Sequence, residues 1–339
     1  METGEPAIGD LELVVSGCIV VGVDGSRDAD AALRWAAGEA WLRRDRLEAI
    51  LAWTPDDCPR EVLDRAYAPG PHTIEETALA LLRECVQRTQ DPRRPVPVTE
   101  RAVYADAVEA LLSAGAGADM IVVGYRGTSR LRRYLVGSVS AACLHQATRP
   151  VVVVRADGRS AEDGRSAEDG RSAEDGRSAE DDRSAEDDRS AEDDRSGRPV
   201  LVGVDGSAAS LAALRWAAEQ AALHAAPLRV VHAWQPPLLP TGHRAARDRA
   251  ALEQSAHAVL DDSVSKGLVD EGLADVTLDT RLALGGPARS LLAEAADARL
   301  LVLGARGQGG FAGLLLGSVA HQCVHHARCP VAVIPDPIR

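Results

Sequence analysis

Lysine is almost missing from this 339-residue chain: Lys266 is the single example among 38 basic residues. A GxxxxGK[ST] phosphate loop cannot be built around it, since it lies far from any glycine-rich segment, so a Walker ATPase is excluded. The arginine bias points to a GC-rich, bacterial genome. Positive charge is short as well, with 51 acids giving a formal charge of −13. That balance argues against nucleic acid or an anionic membrane surface as partner, because both need basic residues to meet phosphates. No apolar run reaches the length of a membrane span, and the opening METGEPAIGD is acidic and hydrophilic, which reads against a secretory signal or anchor. The six cysteines (Cys18, Cys58, Cys85, Cys143, Cys323, Cys329) form no CxxC pair. In a chain this long they read as reduced thiols, and a cytoplasmic location is expected. There is no GxSxG, and no Ser/His/Asp set stands out, so no catalytic residue is predicted.

The acidity is unevenly placed. Residues 1–154 hold 22 acids and 17 bases, residues 155–198 hold 16 and 9, and residues 199–339 hold 13 and 12. The middle stretch is a hexapeptide repeat: GRSAED four times from Gly158, DRSAED twice from Asp182, then a truncated copy. Nothing in it is large and apolar enough to fill a core, so it cannot offset the entropy of ordering and is predicted to be disordered. It reads as a flexible spacer or as a regulatory acidic arm.

A larger repeat organises the rest. VGVDGS at 21–26 recurs at 202–207, ALRWAA at 32–37 recurs at 213–218, and Ala52-Trp53 recurs as Ala233-Trp234, all displaced by 181. VVGYRG at 122–127 matches VLGARG at 302–307, and Gly137-Ser138-Val139 matches Gly317-Ser318-Val319, displaced by 180. One domain has been duplicated in tandem, with predicted bounds 16–155 and 199–336 joined by 156–198.

Within each copy, short apolar runs alternate with helical periodicity. The first copy predicts strands at Ile19–Val23, Leu47–Trp53, Val96–Val103, Ile121–Val123 and Val151–Val154. Its helices fall at Ser26–Arg43, Ile74–Thr89, Val108–Ala116 and Ser138–Ala147. The second predicts strands at Val200–Val204, Leu228–Trp234, Val276–Ala283, Leu300–Leu303 and Val331–Ile334. Helices there fall at Ser207–His224, Arg244–Gly267, Pro287–Ala298 and Ser318–Ala327. Continuous apolar strands alternating with helices imply an α/β fold, each domain a five-stranded parallel sheet covered by helices on both faces. Trp35 and Trp216, on the first helix of each copy, read as core residues.

Ligands of open α/β sheets bind beyond the carboxyl ends of the strands. Two features fall there in each copy. The first is the aspartate ending strand one, Asp24 or Asp205, followed by Gly-Ser: a carboxylate for ribose hydroxyls, or a turn and capping aspartate. The second is the loop after strand four, Gly124-Tyr-Arg-Gly127 then nine residues to Gly137-Ser138, matched by Gly304-Ala-Arg-Gly307 and Gly317-Ser318. Glycines let backbone approach a ligand, and the Gly-Ser opens a helix whose free N–H groups suit a phosphate.

The G-x2-G-x9-G-[ST] loop together with Asp-Gly-Ser resembles the universal stress protein family, in its tandem two-domain form. The resemblance implies a Rossmann-like, nucleotide-binding fold of strand order 3-2-1-4-5 and ATP as ligand, with Mg2+ as an optional companion. It places Asp24 and Asp205 at ribose or adenine, and Ala52 and Ala233 near adenine. Gly124, Gly127, Gly137, Ser138 and Val139, with Gly304, Gly307, Gly317, Ser318 and Val319, would surround the phosphates. It also implies pairing of domains through the fifth strands, within the chain or as a homodimer. The copies differ in two places. Gly286-Pro287 precedes the third helix of the second copy, whereas the first has Ala105-Asp106-Ala107. The first phosphate loop carries Arg130, Arg132 and Arg133, which either strengthen triphosphate binding or solvate the loop. The two sites are expected to differ in affinity.

His321, Cys323, His325, His326 and Cys329 suggest a metal cluster at first sight, but one helix face and the following turn explain them without one, and no metal site is predicted. The functional expectation is a stress-response regulator acting through nucleotide-dependent conformation or partners, with at most slow ATP hydrolysis. An interaction module of the same fold without nucleotide is the alternative, and a nucleotide-activating transferase comes third.

Overall fold

A computed structural model describes residues 17–66, 73–128, 136–156, 197–235, 243–268, 276–308 and 316–337. The hexapeptide repeat and the arginines at 130, 132 and 133 lie outside these residues. The first half lays down β1 (Cys18–Gly22), α1 (Arg27–Arg43), β2 (Arg46–Trp53), α2 (Arg60–Ala66), α3 (Ile74–Thr89), β3 (Val98–Tyr104), α4 (Ala107–Gly115), β4 (Met120–Gly124), α5 (Ser138–Gln146) and β5 (Val151–Val154). The second follows with β6 (Val200–Gly203), α6 (Ala208–Leu223), β7 (Leu228–Trp234), α7 (His243–Gly267), β8 (Leu278–Leu284), α8 (Pro287–Glu294), β9 (Leu300–Gly304), α9 (Ser318–His326) and β10 (Val331–Ile334). Most of the expected elements stand within two residues of their predicted bounds. The exception in kind is α2, a seven-residue helix with one buried side chain, Val62, too short to show a hydrophobic period.

The strands form one sheet in the order β3-β2-β1-β4-β5-β10-β9-β6-β7-β8, so each half has the 3-2-1-4-5 order. Neighbours within a half run parallel, as short apolar strands joined by helical crossovers must. The halves meet where β5 pairs antiparallel with β10, Val153 opposite Val331, Val152 opposite Ala332 and Val151 opposite Val333. All eight residues of these two strands are buried. Val152, Val154, Ala332 and Ile334 enter the apolar cluster under α1, α3, α6 and α7, while Val151, Val153, Val331 and Val333 enter the one under α4, α5, α8 and α9. Each core layer is therefore continuous across the seam.

A polar contact sits at the centre of that seam. Glu39 on α1 is 2% exposed and Gln220 on α6 is 0% exposed. The two are equivalent positions of the duplication, and with its amide nitrogen turned toward Glu39, Gln220 donates to Oε1 at 2.7 Å. Equivalent residues can touch only on the pseudo-two-fold axis. Glu39 also meets Arg43 Nε at 2.8 Å and His224 Nε2 at 2.9 Å, another equivalent pair.

Candidate functional site

At the carboxyl edge of β1 the chain must turn sharply into α1. Gly25 makes the turn at φ +81°, as Gly206 does at +80° in the second half, a region closed to most side chains. The turn aims the preceding carboxylate at the glycine loop. Asp24 Oδ1 accepts from Ser26 N–H at 3.0 Å and Oδ2 from Thr128 N–H at 2.8 Å. Asp205 repeats this with Ser207 N–H at 3.0 Å and Gln308 N–H at 2.8 Å. Burial pushes the Asp205 carboxyl upward, but hydrogen bonds from Ser207, Gln308 and Ser210 outweigh it and hold the group below the usual carboxylate range.

The glycines of the loop answer to these contacts. A Cβ on Gly127 would stand 2.5 Å from Asp24 Oδ2, and one on Gly307 would overlap Asp205 Oδ2. Gly124 and Gly304 face elsewhere: a Cβ there would strike backbone of Asp28 and Ala29, or of Ala209, in the first turns of α1 and α6. Their immediate role is close packing of helix on strand.

The loops end at α5 and α9, with Gly137 and Gly317 as N-caps. Neither helix has a side-chain cap. By contrast Ser26, Thr73, Asp106 and Ser207 cap α1, α3, α4 and α6 with their side chains, while α8 opens on Gly286-Pro287 without one. Uncapped first-turn amides and the positive end of the helix dipole are what an anionic group needs. Ser138 and Ser318 stand exposed at these ends, with Val139 and Val319 half-buried behind them. The backbone fixes both helix starts identically: Gly137 N–H donates to the Tyr125 carbonyl at 2.9 Å, and Gly317 N–H to that of Ala305 at 2.7 Å.

The predicted residues therefore collect on one edge of the sheet in each half. Ala52 and Ala233 lie half-buried near the ends of β2 and β7, in register with Val103 and Ala283. Where the second half has Gly286-Pro287 opening α8, Asp106 does the same work for α4, accepting from Val108 and Glu109 N–H at 2.9 and 3.1 Å. An open groove of about 650 Å³ between α4 and α5, lined by Asp106, Glu109, Leu112 and Gln146 among others, includes none of the predicted site residues.

Several neighbours escaped the sequence reading. Asp28, in the first turn of α1, accepts from Arg126 N–H and Ala156 N–H, both at 2.9 Å. Trp53 stacks edge-on with Tyr104, centroids 4.9 Å apart, and its indole N–H is buried without a partner among the described residues. In the second half His232 Nδ1 lies 2.7 Å from the Val204 carbonyl, where the first half has the buried Leu51. At Asp28, Tyr104 and His232 the two copies differ, the second having Ala209 and Leu284 where the first has Asp28 and Tyr104. His321 and His325 approach at 3.2 Å, yet among the described residues no group of three His, Cys, Asp or Glu side chains is placed to hold a metal. Among those residues no helix is long and apolar enough to cross a membrane.

Comparison with known proteins matches this geometry to one family. The sequence model of the universal stress protein family matches twice, over residues 18–155 and 197–335. A universal stress protein of Mycolicibacterium smegmatis is 31% identical over 328 residues, covering 93% of this chain and 96% of its own. One from Mycobacterium bovis is 30% identical over 322 residues with the same coverage. Among solved structures, a universal stress protein from Archaeoglobus fulgidus superposes with a TM-score of 0.55 at 17% identity, covering 94% of this chain and 98% of its own, a likeness of fold.

Proposed function

The chain belongs to the universal stress protein family, and from that premise we propose that it is a two-site ATP-binding protein of the stress response. Its units are taken as residues 16–155 and 199–336, joined by the segment 156–198. The observation that carries the reading is the pair of uncapped helix N-termini, α5 and α9, each delivered by a glycine loop to the edge where Asp24 or Asp205 stands. The first-turn amides and Ser138 or Ser318 would receive the phosphates, with Mg2+ as counter-ion. The carboxylate would take ribose hydroxyls, and the ends of β2 and β7 at Ala52 and Ala233 would face adenine. In this reading the protein acts through nucleotide-dependent shape or partners, with at most slow hydrolysis. Cytoplasmic location belongs to the same proposal.

A second reading has its own support: Asp24 and Asp205 already tie the glycine loops to the first turn, a complete structural role for an interaction module without nucleotide. Calorimetry of the full chain with Mg-ATP separates the two. Two binding events are expected, and Gly127→Ala with Gly307→Ala should remove them by displacing the carboxylates. Absence of binding, or binding indifferent to that double substitution, would discard the phosphate-loop assignment.

A further inference from the structure

The two glycine loops are held differently. In the first half the ring of Tyr125 is 2% exposed, with the Arg155 guanidinium 3.4 Å from its centroid on one side and Arg126 at 5.1 Å. Its hydroxyl reaches His325 Nδ1 at 3.1 Å. Arg155 also donates to the carbonyls of Val324, at 3.1 Å, and of His325. Val324 and His325 belong to α9, in the other half. Burial, with His321, His326, Arg155 and Arg126 nearby, pushes the His325 imidazole down to about 4, so it enters this contact neutral at pH 7.

The backbone of the same residue builds the first site. Tyr125 N–H donates to Val154 at 2.7 Å, and its carbonyl accepts from Gly137, the cap of α5. Arg126 N–H is held by Asp28 and its carbonyl by Ser26 Oγ at 3.2 Å; Thr128 N–H is held by Asp24. A side chain seated against the second half is thus three residues along the chain from Thr128, whose N–H holds the carboxylate of the first site.

In the second copy the backbone bonds recur: Ala305 N–H to Ile334 at 2.8 Å, Gly317 N–H to Ala305, and Gln308 N–H to Asp205. The cross-half contact does not. Ala305 stands for Tyr125, Ala209 for Asp28 and Pro335 for Arg155. Arg306 pairs within its own half, with Asp336 at 3.6 Å. His145, the counterpart of His325, has its Nδ1 buried with no hydrogen-bond partner among the described residues, as follows when the opposing tyrosine is an alanine.

We propose that Tyr125 is a positioning residue through which the pairing of the two halves shapes the first nucleotide site, while the second site is independent of that pairing. This rests on the nucleotide reading above. It is a coupling between two places, so it acts both ways: nucleotide in the first site tightens the contact of Tyr125 with α9.

The test uses the full chain with substitutions in the opposite half. ATP affinity of the first site is measured in a Gly307→Ala background and that of the second in a Gly127→Ala background. His325→Ala should weaken the first site about tenfold and leave the second unchanged; His145→Ala should leave both unchanged. Tyr125→Phe, which keeps the ring and removes the hydroxyl, should follow His325→Ala, and it stands in for Tyr125→Ala if the larger truncation unfolds the domain. Hydrogen exchange without nucleotide gives an independent readout: His325→Ala should speed exchange at Arg126–Thr128 and leave Arg306–Gln308 alone. First-site affinity and loop exchange both at wild-type values in His325→Ala and Tyr125→Phe would overturn the proposal. If no ATP binds at all, the nucleotide reading falls, and the exchange result alone decides the coupling.

Discussion

A single carboxylate oxygen governs each glycine loop. Asp205 Oδ2 takes the Gln308 amide while Oδ1 takes that of Ser207, so the ionised acid is the tie between the first turn and the loop. Because hydrogen bonding outweighs burial and lowers its folded pKa, the stabilisation is fully present above the unfolded value of about 3.9. It is lost as pH falls through the lower folded value. Asp205→Asn turns an N–H toward Gln308 N–H in place of an acceptor, or leaves one partner unmet, costing about 1–3 kcal/mol locally. Exchange of the Gln308 amide should therefore be slow from neutral pH down to about 4 and open only below it. In the Asn variant it should be faster throughout, with no such acid transition. An equally protected amide in that variant would show that the loop closes without the carboxylate.

Helix entry shows how the copies reach one geometry by different chemistry. α8 begins with Pro287 behind Gly286, whose neighbour Gly285 takes φ +141°, whereas α4 begins with Asp106 capping two amides. Asp106→Ala should cost about 1 kcal/mol, measured as a lowered urea midpoint, and Asp106→Asn should recover most of it. No change in the alanine variant would mean the α4 amides find water equally well. The same comparison explains what the sequence made legible. Strand and helix positions and both glycine loops were readable because the duplication repeats them, buried parallel strands such as Val151–Val154 declare themselves by composition, and the strand order came only with the family resemblance. Tyr125, Asp28, Glu39 and His232 went unread because each matters where the copies differ. Their partners lie far along the chain, 200 residues in the case of Tyr125 and His325. A short helix such as α2, with Val62 as its one buried residue, carries no period to detect. The glycines at 124 and 304 were read as phosphate contacts, and the tight backbone approach that they allow to α1 and α6 was not visible in spacing alone.

At the scale of the whole molecule, the ten-stranded sheet is closed by apolar strands and centred on a polar group that apolar packing alone would not call for. Glu39 is buried against its duplicate Gln220, with Arg43 and His224 completing its hydrogen bonds. Burial alone would raise the Glu39 carboxyl, but the His224 and Arg43 contacts outweigh it and bring the group below its ordinary value. Its contribution is therefore present above about pH 4.3 and fades only as pH falls through the lower folded value. Glu39→Ala takes the buried carboxylate away from Arg43, His224 and Gln220 together and should cost about 3–5 kcal/mol. Since α1 and α6 belong to different halves, that loss should fall on their pairing first. Denaturant unfolding of the full chain at pH 7 should then change from one concerted transition to two. Glu39→Gln, which keeps the shape and deletes the charge, should also flatten the acid branch of the stability profile. If Glu39→Ala unfolds as one transition at the wild-type midpoint, the seam is held by β5 and β10 alone, and the buried acid contributes nothing to the union of the halves.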